Sequence, residues 1–254
     1  MGYLKFSSFG DVQTSKLIDC YEKNKKFFDK EIFEDLDVIF DVAKRNREFF
    51  PTLSVPNDNL DDYIFHWVKS YSNAYHNRPS KRNAMPKGAC TDPAIRVIVQ
   101  NSQGLSDAEA IIGEKTHNLF MSAENIQGSL LEEYIESKIH DYGFIWCMGN
   151  TLTAIDFCNS TGSFFLQIKN KSNTENSSSN KIREGKPIEK WYRLGSRKNN
   201  GIIQPVYRWD VLNELVREHG VKGNAGISPS MSEADYQSFL ENVAKNNTNL
   251  ITEK

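Results

Sequence analysis

Cysteine is scarce in this chain. Four residues in 254, Cys20, Cys90, Cys147 and Cys158, sit far apart and never form C-x-x-C. Zinc ligation draws on close pairs of soft ligands, and the histidines His66, His76, His117, His140 and His219 supply no such spacing. The cysteines therefore read as small buried residues of a reducing cytosol, not as staples. No apolar run approaches the roughly 18 residues of a membrane span, which excludes a membrane partner. The first thirty residues are polar, aromatic and charged, without the apolar core of a leader, so a cytoplasmic location is expected. There is no internal repeat and no low-complexity composition. Neither sign of charge dominates: 31 basic against 33 acidic residues give a net charge of −2. Taken whole, that figure argues against a protein that coats nucleic acid.

The average conceals segregation. Between Asn159 and Gly201 nine basic residues meet only three acids, Glu175, Glu184 and Glu189, a surplus of six that leaves −8 elsewhere. Positive charge is thus gathered on one stretch of chain.

Apolar spacing predicts one or two helices between Thr14 and Phe50, ended by Pro51, and another over Leu60–Tyr75 behind an acidic start at Asp58–Asp62. Residues 78–92 read as a loop with two prolines and a small basic cluster. Pro93–Gln100 reads as helix, although its Val/Ile content also allows a strand, and Ser106–Ile112 as a short helix. Ser122–Ile139 is strongly amphipathic, with Ile126, Leu130, Leu131, Tyr134, Ile135 and Ile139 on one stripe. Strands follow at Tyr142–Met148, Thr151–Phe157 and Ser163–Lys169, then a polar Asn/Ser-rich loop over residues 170–180. A strand is allowed near Gly201–Tyr207, and helices are expected at Asp210–His219 and Glu233–Ala244. Trp67, Tyr71 and Tyr75, at helical spacing, belong to a core. The expected fold is α/β (α+β), a mixed central sheet flanked by helices, with a mainly helical N-terminal region. Residues 1–115 would serve DNA binding, dimerisation or structural support and residues 116–254 would carry the site, unless the two form one continuous domain.

The strand–turn–strand carries the chemistry. With a four-residue loop at Asn159–Gly162, Cys158 faces Ser163, Phe157 faces Phe164 and Asp156 faces Phe165. Alternation then puts Asp156, Gln167 and Lys169 on one face, with Asp156 diagonal to Gln167 and within bridging reach of a divalent ion. A half-solvated strand with polar alternation produces the same triplet without function. Three features favour chemistry. The preceding helix offers Glu132 and Glu133, the loop after Lys169 is cationic and rich in donors for phosphates and base edges, and the basic stretch includes the strand itself. Magnesium takes oxygen ligands, and Asp156, Gln167 and a backbone carbonyl, that of Ile168, provide them. Lys169 would orient or activate water, or neutralise charge on a phosphorane-like transition state.

Asp156 followed by Gln167-Ile168-Lys169 resembles the PD-(D/E)xK nuclease signature, behind a helix reading Gly128-Ser-Leu-Leu-Glu132. Leu166-Gln-Ile-Lys-Asn170, Glu175-Asn-Ser-Ser-Ser179, Ile182-Arg183-Glu-Gly185 and Lys190-Trp-Tyr-Arg193 are similar, more specifically, to the SinI-like type II restriction endonucleases, which cut GGWCC-type sites. The resemblance covers residues 122–193 and implies a restriction-endonuclease-like core and magnesium-dependent, sequence-specific cleavage of double-stranded DNA in a bacterial cytoplasm. It makes Asp156 a metal ligand, Gln167 the stand-in for the usual acidic ligand, Lys169 the catalytic lysine and Glu132 the helical glutamate, with Glu133 the fallback. Ile155 stands where the motif has Pro. Gln167 removes a charge from the metal site. A homodimer is implied, as is a cognate DNA methyltransferase that acts on the same site without needing to bind. Base readout falls to Asn173, Asn176, Ser178, Asn180, Lys181 and Arg183, with Lys171 beside them, and phosphate contacts to Arg193, Arg197 and Lys198. A repair or structure-specific nuclease, and a non-catalytic DNA-binding adaptor, are the competing readings.

Overall fold

The apolar spacing between Thr14 and Phe50 resolves into two helices, α1 (Thr14–Lys25) and α2 (Phe33–Arg45), in a computed structural model that describes residues 2–83, 93–171 and 187–251. Helix α3 (Leu60–His76) starts where the Asn59 side chain accepts the Asp62 amide at 2.8 Å, and Asp61 and Asp62 fill its positive first turn. Its Trp67 and Tyr71 are buried, as the spacing required, and Tyr75 is half-buried. A short ribbon of β1 (Gly2–Leu4) and β2 (Leu53–Val55) closes this helical third.

Helix α4 (Pro93–Gln103) takes the helical alternative at its Val/Ile run and buries none of its residues. The two helices expected at Ser106–Ile112 and Ser122–Ile139 are one, α5 (Asp107–Ile139), 33 residues long. Ser106 and Glu109 form a reciprocal capping box at its start, and no proline interrupts the chain to its end. At the join Leu119, Phe120 and Met121 are exposed.

Five strands make the main sheet in the order β3–β4–β5–β6–β7: β3 (Phe144–Trp146), β4 (Phe157–Asn159), β5 (Phe165–Lys171), β6 (Ile188–Asn199) and β7 (Ile202–Tyr207). Pairing is antiparallel except between β5 and β6, which run parallel. Central strand β5 is covered on both faces: Phe165 and Gln167 are buried on one, Leu166 and Ile168 on the other. Helix α6 (Trp209–His219) and helix α7 (Glu233–Asn246) complete the described chain. The main core cluster runs from Phe6 and Trp67 in the helical third through Phe157 and Leu166 in the sheet to Tyr236 in α7, and a small second one joins Leu130, Val243 and Leu250. The rings of Tyr134, Trp191, Trp209 and Tyr236 pack together where α5, β6, α6 and α7 meet.

Candidate active site

The hairpin differs from its expected register by a shift of two. Cys158 pairs with Phe165 and Phe157 with Leu166, and the Asn159 amide donates to the Phe164 carbonyl at 3.1 Å. The loop still has four residues but starts one later, because Asn159 is part of the ladder. Its Oδ1 accepts the amides of Ser163 and Phe164 at 2.9 and 3.2 Å, and Gly162 supplies the left-handed residue at φ 63°. A shift of two leaves every side chain on its predicted face. It carries Asp156 from the diagonal of Gln167 to the position opposite it.

At Asp156 the strand leaves the ladder. Its amide still donates to the Leu166 carbonyl at 2.9 Å, while its carboxylate Oδ2 accepts the Ile168 amide at 2.6 Å. A residue's N–H and C=O point to the same edge of a strand, so the Ile168 carbonyl also faces the Asp156 side. Glu132, on α5, enters from another element and accepts the indole N–H of Trp146 at 3.1 Å. Glu133 turns away, accepting the amide and hydroxyl of Ser80 at 2.8 and 2.6 Å. Of the two candidate glutamates, then, Glu132 is the one that lines a cavity of about 350 Å³ together with Asp156, Gln167, Trp146 and Arg82.

Burial in one cavity raises the proton affinity of both carboxylates. Burial, then the charge of Asp156, pushes the Glu132 carboxyl well above the ordinary carboxylate range, against the Trp146 hydrogen bond and the charge of Lys169. Burial raises Asp156 too, against the Ile168 amide and Lys169. The half-buried Lys169 thus acts on both acids. Asp156, Glu132, the Gln167 amide and the Ile168 carbonyl form an all-oxygen donor set with an unfavourable excess of negative charge. That set fits a hard divalent cation.

The loop carrying Asp156 is held by the helical third. Trp67 Nε1 donates to the Thr151 carbonyl at 2.9 Å, the Thr153 amide donates to the Phe49 carbonyl at 2.8 Å, and the Ser70 hydroxyl donates to the Gly149 carbonyl. Gly149 has φ 70°, and a Cβ there would run into the carbonyl oxygen of Ser70. Ala154, two residues before Asp156, is also left-handed at φ 63°, a conformation uncommon for alanine. Sequence reading missed these supports, since the acceptors are backbone carbonyls without a side-chain signature.

Of the expected DNA contacts, Asn173, Asn176, Ser178, Asn180, Lys181 and Arg183 lie outside the described residues. Lys171 is half-buried, its ammonium 2.9 Å from Glu124. Arg193, expected on a phosphate, is buried instead. Its guanidinium meets Glu233 at 2.6 Å and Asn170 at 2.9 Å, lies over the rings of Tyr207 and Tyr236, and ties α7 to the sheet. Arg197 and Lys198 are exposed on a projecting β6–β7 ribbon. That ribbon was announced by Asn200-Gly201, whose φ values of 47° and 83° suit a two-residue hairpin turn.

A carboxylate pair and an amide lining one cavity at a strand hairpin, with a lysine whose charge reaches both acids, are the parts of a metal-dependent nuclease. The family model of the SinI restriction endonuclease matches residues 54–225, which include every one of them. The chain belongs to the SinI restriction endonuclease family. It is 30% identical over 179 residues to the type II restriction enzyme Eco47I of Escherichia coli, covering 69% of this chain and 71% of that protein. It is 35% identical over 160 residues to the type II restriction enzyme SinI of Salmonella infantis, covering 61% of this chain and 63% of that one. This SinI-family member is a type II site-specific deoxyribonuclease, which sets aside the repair-nuclease and adaptor readings. Enzymes of this type generally use a divalent metal and act on double-stranded DNA. Among the described residues no helix is long and apolar enough to cross a membrane.

Proposed function

We propose that this SinI-family enzyme cleaves double-stranded DNA at the cavity between α5 and the β4–β5 hairpin, with magnesium as cofactor. The observation that carries the reading is the convergence of Glu132, Asp156 and Gln167 on one cavity, with Lys169 close enough to stabilise both carboxylates. Asp156, the Gln167 amide oxygen and the Ile168 carbonyl would hold the cation, and Glu132 would support it. Bound there, magnesium would supply Lewis-acid polarisation of a phosphate oxygen and a more acidic water. Lys169 would orient that water and offset charge on the pentavalent transition state. The water loses a proton as its oxygen bonds to phosphorus, the bond from phosphorus to the 3′ oxygen breaks, and that oxygen takes up a proton. The products carry a 5′-phosphate and a 3′-hydroxyl.

A pair of such chains would read a twofold site as a homodimer in a bacterial cytoplasm, with a cognate methyltransferase modifying the same site and no obligatory contact between the two. A plasmid digest tests the whole reading. With magnesium it is expected to give discrete fragments whose sequenced ends share one short motif, and with EDTA none. A smear, or fragments formed in EDTA, would refute it.

The helical N-terminal third would act as structural support for the catalytic loop, on the strength of the Trp67, Ser70 and Phe49 hydrogen bonds. Ser70 is then a positioning residue. In Ser70→Ala the Gly149 carbonyl loses its donor, a loss on the order of 1–2 kcal/mol. Single-turnover cleavage at saturating magnesium is expected to slow about tenfold while the DNA dissociation constant stays within twofold, because loops misplaced by a fraction of an ångström lose rate before binding. Equal rates for Ser70→Ala and wild type would remove the supporting role.

A further inference from the structure

Strand β6 has two halves with different surroundings. Residues 188–194 pair with β5 and include the buried Ile188, Trp191 and Arg193. Residues 196–200 are exposed, and every residue of β7 is exposed as well. The ladder continues through this outer part: Ser196 pairs with Pro205, Arg197 with Gln204, Lys198 with Ile203 and Asn199 with Ile202. The ribbon therefore leaves the body as two hydrogen-bonded strands, and among the described residues no third layer covers either face. Ile202 and Ile203 stand 65% and 71% exposed near its tip, which folding alone does not explain. Alternation puts Arg197 and Gln204 on one face as direct cross-strand neighbours and Lys198 on the other. Among the described residues no carboxylate pairs with Arg197 or Lys198.

We infer that the β6–β7 ribbon enters the major groove of the DNA substrate, where Arg197 and Gln204 read base edges as a pair and Lys198 contacts a backbone phosphate. The inference rests on the DNA-cleaving reading above. Width, charge and reach support it. A two-stranded ribbon fits a major groove about 12 Å wide and about 8.5 Å deep. The exposed Lys198 complements a phosphate on the groove wall, and the charge of Arg197 suits the acceptor-lined floor. Lys169 is in register with Tyr192, and five further residues of strand carry Arg197 roughly 17 Å beyond that row, a span that takes in a backbone phosphate and the floor of the groove beside it. The side chains are those with bidentate partners in that groove: arginine with the two acceptors of guanine, and glutamine with the donor and acceptor of adenine. The exposed isoleucines offer apolar contact to thymine methyls. One feature opposes a second copy of the chain as occupant: Pro205 has no N–H with which to extend the sheet across the outer edge of β7.

The test measures binding in the Lys169→Ala background, which keeps DNA intact with magnesium present. Two duplexes of equal length are compared, one carrying the motif mapped from the plasmid digest and one lacking it. Arg197→Ala and Gln204→Ala are each expected to weaken binding to the cognate duplex 10- to 100-fold and binding to the other by less than about threefold. Lys198→Ala is expected to weaken both alike and to flatten the salt dependence. In the active enzyme, Arg197→Ala and Gln204→Ala should accept substituted sites that wild type rejects. Cognate affinity within twofold of the parent, in proteins that melt like the parent, would overturn the inference. So would equal losses on both duplexes, which would reduce the ribbon to a phosphate clamp. A changed oligomeric state with cognate affinity intact would assign the ribbon to a second copy and overturn it as well. Failure of the nuclease reading looks different, since wild type would then yield no discrete fragments.

Discussion

Lys169→Ala and Asp156→Ala should each bind DNA and leave it uncut. Asp156 brings the carboxylate that opposes Gln167 and is fixed by the Ile168 amide, so its loss removes the charged anchor of the donor set. Lys169 brings positive charge to a row otherwise dominated by acids, and on the proposed mechanism its loss would leave both the water and the transition state without a cationic partner. Removing a preorganised electrostatic group of this kind costs about 10²–10³-fold in rate, and an anchoring metal ligand at least as much. We expect single-turnover cleavage to fall by about 10³-fold or more in either variant, with gel-shift affinity for DNA within about tenfold of wild type. Full cleavage by either variant would end the assignment of the site. Lost cleavage together with lost binding and a collapsed melting curve would instead mark a structural role.

Glu132→Gln should trade activity for stability. In the protein without metal, Glu132 and Asp156 share a cavity in which burial raises both proton affinities, and the charge of Asp156 raises that of Glu132 further. A group whose folded-state pKa lies above its unfolded value stabilises the fold at low pH and loses that contribution as pH rises. Metal-free wild type should therefore lose melting temperature as pH climbs above the ordinary carboxylate range of about 4. An amide at position 132 keeps an acceptor for the Trp146 indole and removes the repulsion. Glu132→Gln is expected to melt about 2–4 °C higher than wild type near neutral pH in EDTA, which for a chain of this size corresponds to roughly 1 kcal/mol. The variant should also show a flatter pH profile. Magnesium should reverse the order, because the cation rewards the charge that is costly without it, and cleavage should drop about 10²-fold. A lower melting temperature than wild type in EDTA would show that the glutamate is not electrostatically strained.

What the sequence made legible follows from where information is stored in side chains. The alternation of Phe165, Gln167 and Lys169 against Leu166 and Ile168 is periodic, so both faces of the catalytic strand could be read off before its partners were known. The stripe of α5 from Ile126 to Ile139 was equally plain. The register was missed by two because Asn159 looks like a turn residue and is in fact the last rung of a ladder. The continuity of α5 was missed because capping at Ser106 signals a start without a length, and Leu119, Phe120 and Met121 are exposed where the two predicted segments join. Arg193 looked like a phosphate ligand because charge alone was visible, whereas its partners Glu233 and Tyr236 are some forty residues away in the chain. The support of the catalytic loop by Phe49, Trp67 and Ser70 runs through carbonyls, which every residue has.

Strand β6 belongs to two parts of the molecule at once. Its first half lies against Gln167 and Lys169 in parallel register, and its second half is the stem of the exposed ribbon. A hydrogen-bonded strand is stiff along its length, so the two ends behave as a lever. A tilt of a few degrees acting over about 17 Å moves the far end by about 1 Å, and misplacement on that scale can change a rate 10²-fold. If the ribbon reads bases as proposed, a mismatched contact at the tip would be felt at the lysine row as a geometric error. Proofreading of this kind needs no moving domain, only one uninterrupted strand.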